Sequence, residues 1–147
     1  MKIEYRKGNL FETDIEHIVH GCNAQGVMGS GVAKIVRDAY FDAYKFYVEQ
    51  YDKHGLKLED VQFVESNNKV IINAITQDNY GRTGDRFVSY DAVADCMRNI
   101  NKMLKLSGHT QVAMPQIGAG LGGGNWDVIS RIIEDEMVDV TPVVYVL

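Results

Sequence analysis

The fold of this chain is indicated first by one segment, EHIVHGCNAQGVMGSGVAKIVRDAY, which occupies residues 16–40. The segment begins with an apolar run in which Ile18 and Val19 are adjacent, as expected for a strand that is covered on both faces. A glycine-rich stretch follows at residues 21–31, and from Val32 onward apolar residues recur at the spacing of an amphipathic helix. The order of strand, glycine-rich loop and helix predicts an α/β protein with a loop at the carboxyl end of a strand.

A second glycine-rich loop, residues 118–124, occupies the same place between a predicted strand and a predicted helix. In open α/β sheets ligands bind beyond the carboxyl ends of the strands, where helix N-termini present unpaired N–H groups to anions. Glycine adopts positive φ angles and lets the backbone approach ligand oxygen atoms closely. Two such loops predict a cleft for a ligand with two phosphates; the alternative is that each loop is a tight turn and no more. Peptide N–H groups are neutral, so an acidic chain can still bind phosphate in this way.

Short β-rich runs and longer amphipathic runs alternate along the rest of the chain. Six strands are predicted, at Ile3–Arg6, Glu16–Cys22, Val61–Glu65, Val70–Thr76, Gln111–Ile117 and Pro142–Leu147. Three helices are predicted, from about Gly31 to Gln50, from about Ser89 to Leu106 and from about Asn125 to Val138. Asn67 and Asn68 predict a hairpin turn, and residues 78–86 an exposed loop. This pattern predicts a three-layer α/β/α sandwich with a mixed central sheet, in a single domain over residues 1–147.

The composition is that of an ordinary globular domain. The chain has 147 residues, of which 46% are hydrophobic and 24% charged, and its net charge is −5. Disordered, collagen-like and disulfide-framework proteins are excluded, because the apolar content is high, the glycines are clustered and the cysteines number two. An acidic chain without a basic run is not expected to bind nucleic acid. Residues 1–7 lack the apolar core of a signal peptide and no stretch has membrane-spanning length, so we predict a cytoplasmic protein with no membrane partner.

Two common nucleotide-binding motifs are excluded. Gly118, Gly120 and Gly123 match G-x-G-x-x-G, but only one predicted helix and the strand Pro142–Leu147 follow them. A dinucleotide-binding fold needs a further strand that ends in an acidic residue, and then more sheet. The G-x-x-x-x-G-K-[ST] motif of a P-loop does not occur in the sequence.

Several ordered motifs carry a family resemblance that covers nearly the whole chain, from Lys7 to the closing strand. They are GNL at residues 8–10, VHGCNAQG and MGSGVA within residues 19–33, and MPQIGAGL at residues 114–121, followed by Trp126. These motifs resemble those of the macro domain, the ADP-ribose-binding module. The elements H-x-C-N and M-P-Q-I are most similar to the small ADP-ribose 1''-phosphate phosphatase branch of that family.

The resemblance implies a set of ADP-ribose-binding residues. Asn9 stands where the family usually has an aspartate that contacts the adenine amino group, and an Asn carbonyl can still accept that hydrogen bond. Asn23 matches the asparagine beside the distal ribose, and the loops at residues 29–33 and 117–121 would hold the diphosphate between them. Phe41 replaces a proline often found in the first helix, which affects helix shape more than chemistry. The implied ligand-binding residues are Gly8, Asn9, Leu10, Gly21, Cys22, Asn23, Met28, Gly29, Ser30, Gly31, Val32, Ala33, Ile117, Gly118, Ala119, Gly120 and Leu121.

The resemblance implies several activities, which the sequence separates only in part. The branch that releases ADP-ribose from glutamate or DNA uses a lysine after the fourth strand and an aspartate in the second loop. The equivalent positions here read Ile75-Thr76-Gln77 and Gly122-Gly123-Gly124, and glutamine cannot form a Schiff base. We therefore expect an enzyme that hydrolyses ADP-ribose 1''-phosphate to ADP-ribose and phosphate. The alternatives are a non-catalytic ADP-ribose reader and a hydrolase that removes ADP-ribose from protein or nucleic acid by another mechanism.

His20 and Asn23 are the candidate catalytic residues. His20, at the carboxyl end of the second predicted strand, is either a group that protonates or polarises the substrate near neutral pH or a neutral histidine bonded to backbone. Asn23 could orient water or bind a ribose hydroxyl group. His17, His54 and His109 are scattered, and no grouping of His, Cys, Asp and Glu has ligand spacing. We therefore predict no metal and no cofactor, a small-molecule ligand (ADP-ribose or its 1''-phosphate) and a monomer.

Overall fold

A six-stranded sheet forms the centre of the molecule in this computed structural model, which describes residues 1–81, 83 and 85–147. The strands are β1 (Glu4–Lys7), β2 (His17–Asn23), β3 (Val61–Ser66), β4 (Lys69–Gln77), β5 (Gln111–Met114) and β6 (Thr141–Val146). Their order is β1-β6-β5-β2-β4-β3. The pair β3–β4 is antiparallel and every other pair is parallel. The sheet is therefore mixed, as the sequence predicts.

Helices cover both faces of the sheet. They are α1 (Gly31–Ala39), α2 (Phe41–His54), α3 (Tyr90–Leu106) and α4 (Trp126–Glu136), with a short 3-10 helix at Leu10–Glu12. Ile18 and Ile71 belong to the core beneath α1 and α2, whereas the next residues, Val19 and Ile72, belong to the core beneath α3 and α4. This alternation explains why both faces of β2 and β4 are apolar. It confirms the three-layer α/β/α sandwich.

The first predicted helix is wrong in one respect, because residues 31–50 do not form one continuous helix. Tyr40 interrupts it with φ −129° and ψ 61°, outside the helical region. Its N–H donates to the Val36 carbonyl at 2.7 Å and ends α1, and its carbonyl accepts from Ala43 N–H at 3.0 Å as α2 begins. The Tyr40 side chain is buried, and the apolar spacing runs on across the break. Periodicity alone therefore could not reveal the interruption.

The fifth predicted strand is also too long. It ends at Met114 rather than at Ile117, because Pro115 has no N–H to pair with a neighbouring strand. The Ile117 N–H instead donates to the Pro115 carbonyl at 2.8 Å. The chain therefore leaves the sheet three residues earlier than predicted and enters the second glycine-rich loop.

The remaining elements agree with the sequence to within two residues. Ser89 and Asn125 cap α3 and α4 with their side chains, and Asn67 and Asn68 turn the β3–β4 hairpin with positive φ angles. Two residues of the loop predicted at 78–86, Arg82 and Gly84, lie outside the described residues. No helix in the described part of the chain is long and apolar enough to cross a membrane.

Candidate functional site

A cleft of about 600 Å³ opens at the carboxyl edge of the sheet. Its walls are the end of β2, the first turn of α1, the end of β4 with the residues after it, and the loop after β5. Because β2 pairs in parallel with both β4 and β5, the carboxyl ends of these three strands meet at one edge. The cleft lies where the two glycine-rich loops predict one.

Most of the predicted ligand-binding residues line the cleft. They are Gly21, Cys22, Asn23, Gly29, Ser30, Gly31, Val32, Ala33, Ile117, Gly118, Gly120 and Leu121, with the predicted catalytic residue His20.

Five predicted ligand-binding residues are not among the cleft's described lining: Gly8, Asn9, Leu10, Met28 and Ala119. Met28 and Leu10 are buried in the core beneath α1 and α2. Asn9 caps the 3-10 helix, since its Oδ1 accepts a hydrogen bond of 2.9 Å from the Phe11 N–H. The Gly8 N–H donates to the Val146 carbonyl at 2.8 Å. These contacts give residues 8–10 a structural role at the edge of the sheet, and the adenine contact of Asn9 stays a prediction.

Asn23 holds the first loop of the cleft in shape. Its Nδ2 donates to the Val27 carbonyl at 2.8 Å, and its Oδ1 accepts from Gln25 N–H at 3.0 Å. The buried Tyr47 hydroxyl donates to Asn23 and lies 2.5 Å from its backbone carbonyl oxygen and 2.9 Å from Oδ1. With these bonds in place, the carboxamide fixes residues 23–27 in a turn at the rim of the cleft. Its structural role is therefore clear, and its role in orienting water stays a prediction.

His20 is neutral in this environment. The ring is 1% exposed, and burial lowers its pKa to about 4 although a hydrogen bond to Asn73 opposes the shift. The Nε2–Oδ1 distance to Asn73 is 2.7 Å, and Asn73 Nδ2 donates to Gln62 Oε1 and the Ala43 carbonyl, both at 3.1 Å. These donations leave Asn73 Oδ1 facing the ring, so we assign the imidazole proton to Nε2. The contacts favour a neutral, hydrogen-bonded histidine, with a side chain as its partner rather than backbone, and they do not support a proton donor.

Cys22 lies beside the His20 ring, with its Sγ 3.5 Å from Nε2. The thiol is buried, and burial raises its pKa far above the usual value. The nucleophilic form of cysteine is the thiolate. Cys22 is therefore unsuited to act as a nucleophile, and its contact with the ligand stays a prediction.

The second glycine-rich loop is held by the residues that precede α3. The Gly122 carbonyl accepts from the N–H groups of Phe87 and Val88, at 2.7 and 3.0 Å. Gly123 has φ +70°, and a Cβ there would overlap the backbone of Asp85. Glycine is therefore required at residue 123 by both the close approach and the backbone angle.

This loop presents unpaired donors to the cleft. The backbone N–H groups of Gly120, Leu121 and Gly122 donate to no acceptor among the described residues, and all three residues line the cleft. Across from them α1 begins at Gly31, and no side chain in the described part of the chain caps its first turn. First-turn N–H groups have no acceptor within their own helix. Two walls of the cleft thus offer backbone N–H groups, which suit the oxygen atoms of a diphosphate.

The comparison with protein families settles the relationship that these features indicate. The family model for the macro domain matches residues 19–133, which include both glycine-rich loops and the strands and helices between them. The chain belongs to the macro domain family.

Curated proteins of similar sequence span most of this macro domain. An uncharacterized 17.5 kDa protein of Enterobacteria phage T4 is 34% identical over 146 residues, covering 91% of this chain and 89% of that protein. The ADP-ribose 1''-phosphate phosphatase of Candida albicans is 26% identical over 144 residues, with coverage of 90% and 92%. The DNA ADP-ribosyl glycohydrolase of Thermus aquaticus is 24% identical, covering 92% of this chain and 38% of that protein.

Solved structures share the fold over nearly the whole chain. A protein of unknown function from Bacteroides thetaiotaomicron has a TM-score of 0.87 at 29% identity, covering 100% of this chain and 99% of that chain. The macrodomain of Thermus aquaticus DarG has a TM-score of 0.83 at 23% identity, covering 99% and 98%. The mixed sheet between two helical layers is therefore the macro domain fold.

Sequence reasoning missed part of the cleft of this macro domain. Gln77, Tyr80 and Gly81, at and after the end of β4, line it, as do Pro115 and Gln116 before the second loop. A signal was present, because β4 was predicted and a strand parallel to β2 must end at the same edge. Tyr80 is 50% exposed at the rim.

Sequence reasoning also missed a histidine and carboxylate cluster at the opposite edge of the sheet. Glu16, His17 and His109 each place one potential ligand atom within 4.8 Å of the other two. The prediction that the chain holds no metal stays a prediction. Spacing could not reveal the cluster, because His109 reaches it from the start of a different strand.

Proposed function

We propose that this macro domain binds ADP-ribose in the cleft and hydrolyses ADP-ribose 1''-phosphate to ADP-ribose and phosphate. The observation that carries the proposal is the set of unpaired N–H groups at Gly120, Leu121 and Gly122, opposite the first turn of α1. A cleft with neutral donors on two walls suits an anion of two linked phosphates. None of its described lining residues is Lys or Arg, so recognition would depend on backbone geometry.

The reaction we propose is attack of water on the phosphorus of the 1''-phosphate. The bond between phosphorus and the oxygen on C1'' breaks, that oxygen takes up a proton, and inorganic phosphate leaves. In phosphoryl transfer the charge of the transition state spreads over the three equatorial oxygen atoms, so positioning and hydrogen-bond donors supply most of the catalysis. The donors of residues 120–122 would serve this purpose. A neutral His20 is compatible with this route, because the route depends more on hydrogen-bond donors to the phosphate oxygen atoms than on a strong acid.

In this scheme His20 is a positioning residue. Its bond to Asn73 lies beneath the strand end that carries Gly21 and Asn23. The ring would set the position of that strand end and therefore of the loop that follows it. Asn23 would keep the turn at residues 23–27 closed and leave its second Nδ2 proton for a ribose hydroxyl group or a water molecule.

The test is the release of inorganic phosphate from ADP-ribose 1''-phosphate by purified protein in EDTA. We expect release by the wild type and a loss of at least tenfold in Asn23→Ala. Binding of ADP-ribose by the same preparation, measured by titration calorimetry, shows that the cleft is intact. Binding without phosphate release would overturn the phosphatase and leave the ADP-ribose reader.

The reader is the second candidate, and one observation favours it. His20 is neutral and buried, and the oxygen and one N–H of the Asn23 carboxamide are engaged in structural bonds. The described lining of the cleft therefore offers no strong acid or base. The phosphate-release assay separates the two candidates directly.

Removal of ADP-ribose from a macromolecule is the third candidate, since one relative is named a DNA ADP-ribosyl glycohydrolase. Gln77 lines the cleft at the position where the glycohydrolase branch is expected to have a lysine. A carboxamide cannot form the Schiff base. A glycohydrolase activity of this chain would need another mechanism, and hydrolysis of ADP-ribosylated DNA in the same buffer would reveal it.

A further inference from the structure

Glu16, His17 and His109 form a cluster at the amino edge of the sheet, and nothing in the ADP-ribose cleft uses it. Glu16 and His17 stand at the start of β2, and His109 stands just before β5. Strands β2 and β5 are parallel neighbours, paired at Ile18 and Ala113, so their amino ends meet. His17 lies three residues before His20 on β2, and at about 3.3 Å per residue the cluster is about 10 Å from this part of the described lining of the cleft.

The three side chains converge at distances somewhat longer than those of an occupied zinc site. The His17 and His109 rings have centroids 4.3 Å apart and planes inclined by 60°. His109 Nδ1 lies 4.0 Å from a Glu16 carboxylate oxygen, and one ligand atom from each residue lies within 4.8 Å of the others. Zinc binds histidine nitrogen and carboxylate oxygen at about 2.0–2.2 Å. Small rotations that bring the three atoms together by about 1 Å would complete such a site.

The geometry points to a binding site for a divalent transition-metal ion, with zinc as the best match, held by Glu16, His17 and His109. Two imidazoles and one carboxylate form a donor set that zinc uses with a fourth position open to water. Calcium and magnesium prefer oxygen ligands alone, so the two imidazoles select against them.

The surroundings leave the ligand atoms available. The His17 side chain is buried and has no hydrogen-bond partner among the described residues. The Glu16 side chain is 59% exposed and that of His109 35% exposed, so solvent reaches one side of the cluster. Nearby, Lys69 Nζ is engaged by the carbonyls of Thr13 and Ile15, at 2.7 and 2.8 Å. The site therefore combines one buried ligand with an open approach from solvent.

A metal ion here would tie β2 to β5 at their amino ends. The described pairing of these strands is confined to one register pair, Ile18 with Ala113, whereas β2 pairs with β4 along its whole length. The ion would strengthen the contact between strands β1, β6 and β5 on one side of the sheet and β2, β4 and β3 on the other. The site does not depend on the function of the cleft, and its ligands belong to no part of the proposed reaction.

The test uses tag-free protein dialysed against a chelator and then titrated with ZnCl₂ by calorimetry in a non-coordinating buffer. We expect one zinc ion per chain in the wild type, with binding at least tenfold weaker in His109→Ala and in Glu16→Gln. Glu16 and His109 are exposed enough that both variants should fold, which circular dichroism checks. The matched control is His54→Ala, which removes an exposed histidine at the end of α2 that bonds to Gln50 and Gly55, and it should bind zinc as the wild type does.

A second readout identifies the ligands themselves. Cobalt(II) in place of zinc should give visible absorption bands of four- or five-coordinate intensity in the wild type, and these bands should be lost in His109→Ala. Zinc should also raise the thermal midpoint of the wild type and leave that of His109→Ala unchanged. Wild-type binding that matches His109→Ala, or a wild type that does not bind zinc at millimolar concentration, overturns the site.

Discussion

Asn23 and Tyr47 hold the rim of the cleft through one shared set of hydrogen bonds. The Tyr47 hydroxyl donates to Asn23, and the tyrosine side chain is fully buried in the core beneath α1 and α2. Buried oxygen atoms that lose their donor cost about 1–3 kcal/mol each. The shape of the first loop therefore depends on a residue that is itself outside the described lining of the cleft.

Tyr47→Phe should lower the free energy of unfolding by about 1–3 kcal/mol and weaken ADP-ribose binding severalfold. The physical reason is that Asn23 loses a donor without any change in the core volume. Urea unfolding and titration calorimetry measure the two effects. Tyr44→Phe is the control on the same helix, because no hydrogen bond to its hydroxyl is found among the described residues. Equal losses in both variants would contradict the role of Tyr47.

The neutrality of His20 makes stability depend on pH. Burial lowers the pKa of His20 to about 4, and burial with the nearby His109 lowers the pKa of His17. The unfolded chain binds protons below about pH 6.5 while the folded chain does not, so acid favours unfolding. From His20 alone we expect the free energy of unfolding to fall by about 2 kcal/mol between pH 7.5 and pH 5.

Urea unfolding at several pH values measures this slope, and the ¹⁵N shifts of the His20 ring report its own state. We expect those shifts to remain those of a neutral, Nε2-protonated imidazole down to pH 5. A free energy of unfolding that stays constant or rises as the pH falls would contradict the assignment. So would a His20 ring that titrates near pH 6.5.

The identity of the residues at the rim could be predicted from sequence, but their contacts could not. His20 is a candidate because it lies at the carboxyl end of a predicted strand, and Asn23 because it matches the macro-domain asparagine beside the distal ribose. Their partners Tyr47 and Asn73 lie on α2 and β4. These pairings follow from the packing of α2 against the sheet, which no local pattern encodes. The sequence therefore predicts where His20 and Asn23 lie in the fold. It does not decide whether His20 protonates the substrate or is a neutral, hydrogen-bonded histidine.

The shape of the second glycine-rich loop depends on close approaches that leave no room for a Cβ, at Gly118, Gly122, Gly123 and Gly124. Gly123→Ala should distort it, because the added Cβ meets the backbone of Asp85 and the φ of +70° is strained for alanine. We expect ADP-ribose binding to weaken by at least tenfold in titration calorimetry. His54→Ala is the control, because His54 is an exposed residue at the end of α2 outside the described lining of the cleft, and its loss should stay below threefold. Similar losses in the two variants would contradict the dependence on loop shape.

Helices and strands can be predicted where the apolar spacing agrees with local turn and capping residues. They are missed where tertiary packing determines the backbone conformation. The hairpin at Asn67 and Asn68 and the start of α3 after Ser89 have local causes, and both lie where the sequence predicts them. The break at Tyr40 has no local breaker, since neither Gly nor Pro is near it. The buried Tyr40 side chain and the hydrogen bond to Val36 fix the break, and these follow from tertiary structure.

At the scale of the whole molecule, the two ends of β2 lie beside two different candidate sites. The cleft with its backbone donors lies beside the carboxyl end of β2, and the cluster of Glu16, His17 and His109 lies beside its amino end. Chelation should therefore leave ADP-ribose affinity and turnover unchanged, because Glu16, His17 and His109 are not among the described lining residues of the cleft. Calorimetry and phosphate release with and without EDTA check this expectation. A loss of turnover in EDTA that a divalent ion restores would contradict it.

The architecture of the whole molecule was predictable because β2 and β4 are apolar on both faces, which requires helices on both sides of a sheet. The cluster at the amino edge was not, because it needs the parallel pairing of β2 with β5. That pairing joins Glu16 and His109 across most of the chain. Local sequence patterns identify the helical and sheet layers of the fold. Only the order of the strands in the sheet identifies which residues, distant in sequence, become neighbours.

Titration of ADP-ribose into the wild-type protein by calorimetry is the decisive measurement, since every part of the proposed function requires this ligand in the cleft. We expect saturable binding of one molecule per chain, lost or weakened in Gly123→Ala and retained in His54→Ala. The absence of heat and saturation at millimolar concentrations of folded protein would contradict it.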